Sequence, residues 1–386
     1  MYRIGQEEIE AVRRVIESGQ LFKINTGMQA TAHAEETLCT LFDTPHAILM
    51  TSGHAALTSA LIAMGIGPGD QVIVPAYTYI ATAMAVVAAG AIPVLAEVDD
   101  TLTLDPDDME KKITHATRAV IPVHIQGFPC RMDRITEIAA RHGLLVLEDA
   151  CQADGGSFGG RRLGTIGDAG ALSFNFYKVI TCGEGGALLT KSREIRDRAL
   201  IYHDSSAVAF FGDQMKDVTT PAFCGNEYRT NEIPAAILSV QLTRLDGILA
   251  DLRSRRRLIL SLLGDAVSPA PSHDTDGDCA TTLALRFDTA EEADRVARAV
   301  GGIRPINTNK HVYINWEPIL ERRGALHPAM DPFRMEANRG IIPHYHRDMC
   351  PRTLDLLERT VYLSLTPDMT DEACALLASR IREAAE

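Results

Sequence analysis

The chain is 386 residues long, with 46% hydrophobic and 23% charged residues, which excludes a disordered chain and allows two domains or one large one with an appendage. Its 38 basic against 51 acidic residues give a formal charge of −13, which argues against a general nucleic-acid or anionic-membrane binder. Lysine occurs only at positions 23, 111, 112, 178, 191, 216 and 310, so chemistry that requires a lysine amine has seven candidates.

The N-terminal stretch MYRIGQEEIEAVRRVIES reads as a charged amphipathic helix without the apolar core of a signal peptide. From residue 46 short apolar runs alternate with helical stretches. The runs 47–50, 71–75, 92–96, 119–123 and 144–147 read as strands buried on both faces, with helices near 53–65, 78–89, 106–113 and 132–141 between them. Tyr79 to Ala96 carries no charge and has the length of a membrane span, but Gly90-Ala91-Ile92-Pro93 divides it into a buried helix and a buried strand.

Two further apolar runs, Gly170–Phe174 and Gly186–Thr190, flank the segment NFYKVITCGEG. A polar, glycine-punctuated stretch covers 203–226, and Asn231 opens a long helix to about Leu263, with Pro234 tolerated in its first turn. Residues 264–279 have the composition of a linker, followed by a strand at Thr281–Phe287 and helices at 290–299 and 370–385. The expected fold is α/β, a mainly parallel central sheet flanked by helices over residues 1–263, plus a small α+β C-terminal domain over 264–386. Eight cysteines scattered without a CxxC indicate reduced thiols and a cytoplasmic protein.

Ligands of an open parallel sheet bind at the carboxyl ends of its strands, so the residues just after each strand carry the functional argument. No GxGxxG follows the first strand and no lysine follows a glycine, which disfavours dinucleotide and P-loop enzymes. His344-Tyr345-His346 with Asp348 resembles a ligand set, but an isolated HxH is common, and the expectation is no metal. Pyridoxal phosphate fits better: it needs a lysine amine, an acid facing its ring nitrogen, an aromatic face and donors around its phosphate.

Asp149 ends an apolar strand, where a carboxylate is costly unless paired; taken alone it reads first as a helix N-cap at a strand-to-helix turn. Gln152, three residues later, could reach the ring's 3′-oxygen or simply face solvent. Lys178 lies between apolar, aromatic and glycine-rich neighbours, where an amine becomes a better nucleophile. Ser52, Gly53 and His54 precede a helix whose N-terminus could hold a phosphate, or they form an ordinary cap. Tyr79 could stack on the ring or join the core. No single item decides; their order along the chain does.

That order resembles the DegT/DnrJ/EryC1/StrS aminotransferases, sugar and aminocyclitol enzymes of pyridoxal-phosphate fold type I. The residues that carry the resemblance are SGHAAL at 52–57, VPAYTYIATA at 74–83, GAIPVLAEVD at 90–99, PVHIQG at 122–127, EDACQA at 148–153, SFNFYKVITCGEGGAL at 173–188 and GNEYRTNEIPAA at 225–236. CPRTLDLLERTVYLSL at 350–365 extends it more weakly. The resemblance implies that Lys178 forms the Schiff base, Asp149 pairs with the pyridine nitrogen, Gln152 meets the 3′-oxygen, Ser173 the phosphate, and Tyr79 the ring face. It also implies a homodimer with shared active sites, Asn226 reaching the neighbouring subunit's phosphate.

The implied reaction transfers an amino group from L-glutamine or L-glutamate to a keto sugar or keto-cyclitol, with pyridoxamine phosphate formed on the way. Arg229 is the candidate for the donor carboxylate, because its fork is bidentate; the other reading is an interface ion pair. His344, Tyr345 and His346 are candidates for the acceptor pocket. His54 departs from the threonine usual in the family, which affects the side-chain part of the phosphate contact and not the backbone contact of Gly53. A pyridoxal-phosphate dehydratase and a non-catalytic regulator of the same fold remain alternatives.

Overall fold

The apolar runs assemble into one seven-stranded sheet. In the computed structural model, which describes residues 3–23, 28–204, 218 and 220–386, its strands are β1 (His46–Met50), β2 (Gln71–Pro75), β3 (Ile92–Ala96), β4 (Thr117–Val120), β5 (Leu145–Asp149) and, after a short hairpin of β6 (Ser157–Phe158) and β7 (Arg161–Arg162), β8 (Ala169–Ser173) and β9 (Gly186–Thr190). The order is β1-β9-β8-β5-β4-β2-β3. The pairs from β8 to β3 are parallel, and β9 runs antiparallel between β1 and β8. Every residue of β2, β3 and β8 is buried, as uninterrupted apolar runs require when both faces are covered.

The described helices of this part are α1 (Gln6–Ser18), α2 (Ala30–Phe42), α3 (Gly53–Ala63), α4 (Ala81–Ala88), α5 (Pro106–Lys111), α6 (Met132–His142), α7 (Arg193–His203) and α8 (Glu232–Leu263). Side-chain caps set several starts: Ser52 accepts from Ala55 N, Asn231 from Ile233 N, and Asp105 from Asp107 N. Two helices have no clear signal in the sequence: α2, whose sequence ATAHAEETLCTLF mixes small and polar residues without a sharp apolar stripe, and α7, with five charged residues among its eleven. The helix expected at 78–89 starts three residues later, as α4. Thr78 and Ile80 donate their N–H groups to the carbonyls of His311 and Lys310, so this stretch is tied to a distant segment and the helix opens only at Ala81.

By length and composition α8 could cross a membrane. Here it packs against α1, α2 and the C-terminal helix, burying Leu238, Leu242, Leu245, Leu249 and Leu252. Tyr79–Ala96 becomes α4 followed by β3. A second, antiparallel sheet joins β10 (Ser268–Pro269), β11 (Thr282–Arg286) and β12 (Thr360–Ser364), with α9 (Ala290–Val300), α10 (Pro351–Glu358) and α11 (Asp371–Ala385). The segment between α9 and α10 packs back on the large sheet: Tyr313 N donates to Ala76 O, and Trp316 and Tyr313 are fully buried. All eight cysteines are free thiols.

Candidate active site

The two carboxylates that end β5 point to opposite faces, as period-two alternation demands. Glu148, fully buried, accepts from the backbone N–H groups of Gly164, Ile166 and Gly167 and pairs with His124 Nε2 at 3.1 Å. Cys130 N donates to His124 Nδ1 at 3.1 Å, so that ring donates to Glu148 through Nε2. Glu148 thus ties the loop before β8 to the strand. Asp149 faces the other way, into a cavity of about 670 Å³ at the carboxyl ends of the strands. Its Oδ2 accepts from Thr82 Oγ1 at 2.7 Å and its Oδ1 from Cys151 N at 3.1 Å.

Lys178 lines the same cavity from the connection between β8 and β9. That connection folds on itself: Lys178 N donates to Asn175 O at 3.1 Å, Cys182 N to Phe174 O at 3.0 Å, and Asn175 Nδ2 to Glu184 Oε1 at 3.2 Å. Of the seven lysines, Lys178 alone lines this cavity among the described residues, and Lys216 lies outside them. No arginine lines it there either; the other charged wall groups are Asp149 and Glu184.

The third wall is the N-terminus of α3, whose first N–H groups have no intrahelical partner. The backbone is closely approached here. A Cβ on Gly53 would stand 2.6 Å from Cys151 Sγ and 2.9 Å from Ser173 Cβ, and one on Gly186 would meet Ser52 C at 2.3 Å. Ser52, Gly53, His54 and Ser173 all line the cavity. The His54 ring lies with Nδ1 3.3 Å from Ala81 O, and burial lowers its proton affinity, so it donates there as a neutral ring. Tyr79 stands at the wall with its ring 5.3 Å from that of His311. Gln152 accepts from Gln126 N at 3.1 Å, with its Nε2 3.5 Å from His311 Nε2.

This gathers residues from six separate sequence segments around one lysine and one buried aspartate. A model of the DegT/DnrJ/EryC1/StrS aminotransferase family matches residues 2–324. The chain belongs to that family. It is 36% identical to the L-glutamine:2-deoxy-scyllo-inosose aminotransferase of Streptomyces kanamyceticus, over 71% of this chain and 66% of that one. It is 32% identical to the spore coat polysaccharide biosynthesis protein SpsC of Bacillus subtilis (strain 168), over 96% of this chain and 92% of that one. The fold, with its mainly parallel central sheet, is fold type I. It matches 3-amino-5-hydroxybenzoic acid synthase with a TM-score of 0.81 at 26% identity, covering 100% and 97% of the two chains. It matches S. venezuelae DesV, solved with a ketimine intermediate, with a TM-score of 0.77 at 30% identity, covering 98% and 94%.

Five expected site residues of this family member lie elsewhere. Asn226 is exposed and donates from Nδ2 to Tyr202 Oη at 2.7 Å, outside the cavity of its own chain. Arg229 forms an ion pair with buried Asp204, another with Glu227 at 3.2 Å, and stacks over Phe22 with its guanidinium 4.4 Å from the ring centre. The acceptor-pocket expectation is corrected for Tyr345: its ring is buried against Phe333 and its hydroxyl donates to Pro93 O at 2.6 Å, a core role. His344 and His346, on either side of it, are exposed and do not line the cavity. Conversely, Thr82, Cys151 and His311 went unnoticed. Thr82 has a signal, one helical turn beyond Thr78; His311 has none, because it reaches the site from 159 positions beyond Gln152.

Proposed function

We propose that this chain is a pyridoxal-phosphate-dependent aminotransferase that moves an amino group from L-glutamine or L-glutamate to a keto-cyclitol or keto sugar. The observation that carries this reading is the pairing of Lys178 and Asp149 across one cavity with the N-terminus of α3. The residues fit the cofactor: at Gly53 the α3 N-terminus packs against Cys151 and Ser173 too closely for any Cβ, its helix N–H groups suit a phosphate, and Asp149 offers a buried anion. Bound there, pyridoxal phosphate supplies the carbonyl that accepts an amino group and a ring that takes up electrons.

In this reading Lys178 anchors the cofactor, and its freed Nζ then takes the proton from the donor's α-carbon. Asp149, kept in place by Thr82 Oγ1 and Cys151 N, would hold the ring nitrogen in its protonated form. Ser52, Gly53, His54 and Ser173 would hold the phosphate, Gln152 would meet the 3′-oxygen, and Tyr79 would lie against the ring; all of them line the cavity. Asn226 belongs to the phosphate site of a second subunit in a homodimer. The name of the Streptomyces kanamyceticus relative supports L-glutamine and a cyclitol ketone. The free thiols support cytoplasmic operation. A large part over 1–263 and a small one over 264–386 is the division we favour, with α8 ending at Leu263.

The test is the half-reaction. Loaded protein given L-glutamine or L-glutamate should lose its visible cofactor absorbance, and a keto-cyclitol or a nucleotide-linked keto sugar should restore it. Persistence of the absorbance with every amino donor would refute transamination; loss of water from the sugar without amino transfer would favour a dehydratase.

A further inference from the structure

One wall of the cavity has no role in the account above. Gln126, in the loop after β4, lines it with a left-handed backbone, φ 54° and ψ 18°, which strains any residue that carries a Cβ and suits glycine. Three contacts keep it there. Its N–H donates to Gln152 Oε1 at 3.1 Å, its carbonyl accepts from Thr281 Oγ1 at 2.8 Å, and its Oε1 accepts from Thr282 Oγ1 at 2.9 Å. Of its polar atoms, Nε2 alone has no hydrogen-bond partner among the described residues.

The groups around Gln126 are uncharged and include both donors and acceptors. Ser364, in register with Thr282 across β11 and β12, also lines the cavity and is exposed. His311 lies with Nδ1 3.2 Å from Thr308 O, and burial keeps the ring neutral. Nδ1 therefore donates there, and Nε2, 3.5 Å from Gln152 Nε2, is an acceptor. This wall offers no cation to pair with a carboxylate or a phosphate, whose burial is costly without one. Hydroxyl groups match it, since each can both give and accept a hydrogen bond.

We propose that Gln126 is a specificity-determining residue for the amino acceptor, its Nε2 donating to a hydroxyl oxygen of an uncharged polyhydroxy ketone. The left-handed backbone sets the carboxamide toward the cavity, and Thr282 fixes which end of it stays free. A ketone without hydroxyls would strip water from those N–H groups and leave them unpaired, so the site rejects it. The inference rests on the aminotransferase reading and narrows its acceptor to an uncharged polyol.

The experiment uses loaded Gln126→Met, which keeps the length of the side chain and removes its N–H groups. Cofactor absorbance follows the two half-reactions separately. L-glutamine and L-glutamate serve as donors; scyllo-inosose, a pentahydroxycyclohexanone, and cyclohexanone, which has no hydroxyl, serve as acceptors. The variant should lose at least about tenfold in kcat/KM for scyllo-inosose, with the donor half-reaction and the reaction of cyclohexanone unchanged. Calorimetry should show scyllo-inosose binding to the pyridoxal form weakened by about the same tenfold. Undiminished kcat/KM for scyllo-inosose, or equal losses with both ketones or in both half-reactions, would overturn the role of Gln126. Gln126→Gly controls for folding, because glycine suits this backbone. Its Tm should hold while the same selective loss appears; a lower Tm with losses in both half-reactions would make Gln126 structural and overturn the proposal. Wild type that accepts an amino group from a donor, yet regains its absorbance only with a nucleotide-linked keto sugar, would overturn the uncharged acceptor. Wild type that accepts none from either donor would instead refute the aminotransferase reading.

Discussion

Gly53→Ala sets two effects of opposite sign against each other. Gly53 opens α3 with an ordinary helical backbone, so propensity alone makes alanine the better residue, by up to about 1 kcal/mol. Packing points the other way. The added Cβ would lie 2.6 Å from Cys151 Sγ, 2.9 Å from Ser173 Cβ and 3.4 Å from Leu172 O, and the last two sit on a fully buried strand that cannot retreat. Overpacking of this kind costs about 1–3 kcal/mol, or ~1–4 °C in Tm for a chain of this length. The α3 N-terminus would also shift away from Ser173, so affinity for pyridoxal phosphate should fall at least about tenfold, the equivalent of ~1.4 kcal/mol. In Gly53→Ala/Cys151→Ala the sulfur contact is gone and the contact to Ser173 remains, so part of both losses should return. Differential scanning calorimetry and cofactor titration of the two variants measure this. A Gly53→Ala protein as stable as wild type, with undiminished cofactor affinity, would refute the close-approach argument.

Three further outcomes follow from the same geometry. Tyr345→Phe should lose about 1 kcal/mol, from the hydrogen bond to Pro93 O, and leave KM for the acceptor unchanged; a raised KM would return Tyr345 to the substrate pocket. Glu148→Gln replaces an acceptor-only group that serves three backbone N–H donors and His124, and should cost ~3 kcal/mol by urea unfolding; a loss below about 1 kcal/mol would contradict its tying role. His203 is held neutral by burial and by Lys23, its pKa lowered to about 3. Between pH 6.5 and 3 the unfolded chain therefore binds a proton that the folded chain does not, and stability falls with acid by at most ~1.4 kcal/mol per unit. Urea midpoints across that range should fall more steeply for wild type than for His203→Gln, and parallel curves would remove His203 from the account.

What the sequence made legible was whatever depends on local pattern. Uninterrupted apolar runs announced β2 and β3, and the residues following each strand contained Asp149, Gln152 and the α3 cap, because open sheets place ligands there. Lys178 stood out because so few lysines exist. Contributions that depend on tertiary placement were not visible. His311 enters the cavity through backbone bonds to Thr78, and Tyr345 looks like a pocket residue until its hydroxyl is seen to serve Pro93. Arg229 carries the right fork, but Asp204 and Glu227 already occupy it.

The central claim is that Lys178 is the covalent anchor of pyridoxal phosphate. Borohydride reduction of loaded protein, followed by proteolysis and mass spectrometry, tests it directly. The pyridoxyl group should appear on the peptide containing Lys178, and Lys178→Ala should carry none. A pyridoxyl group on any of the other six lysines, or on none in wild type, would contradict the account.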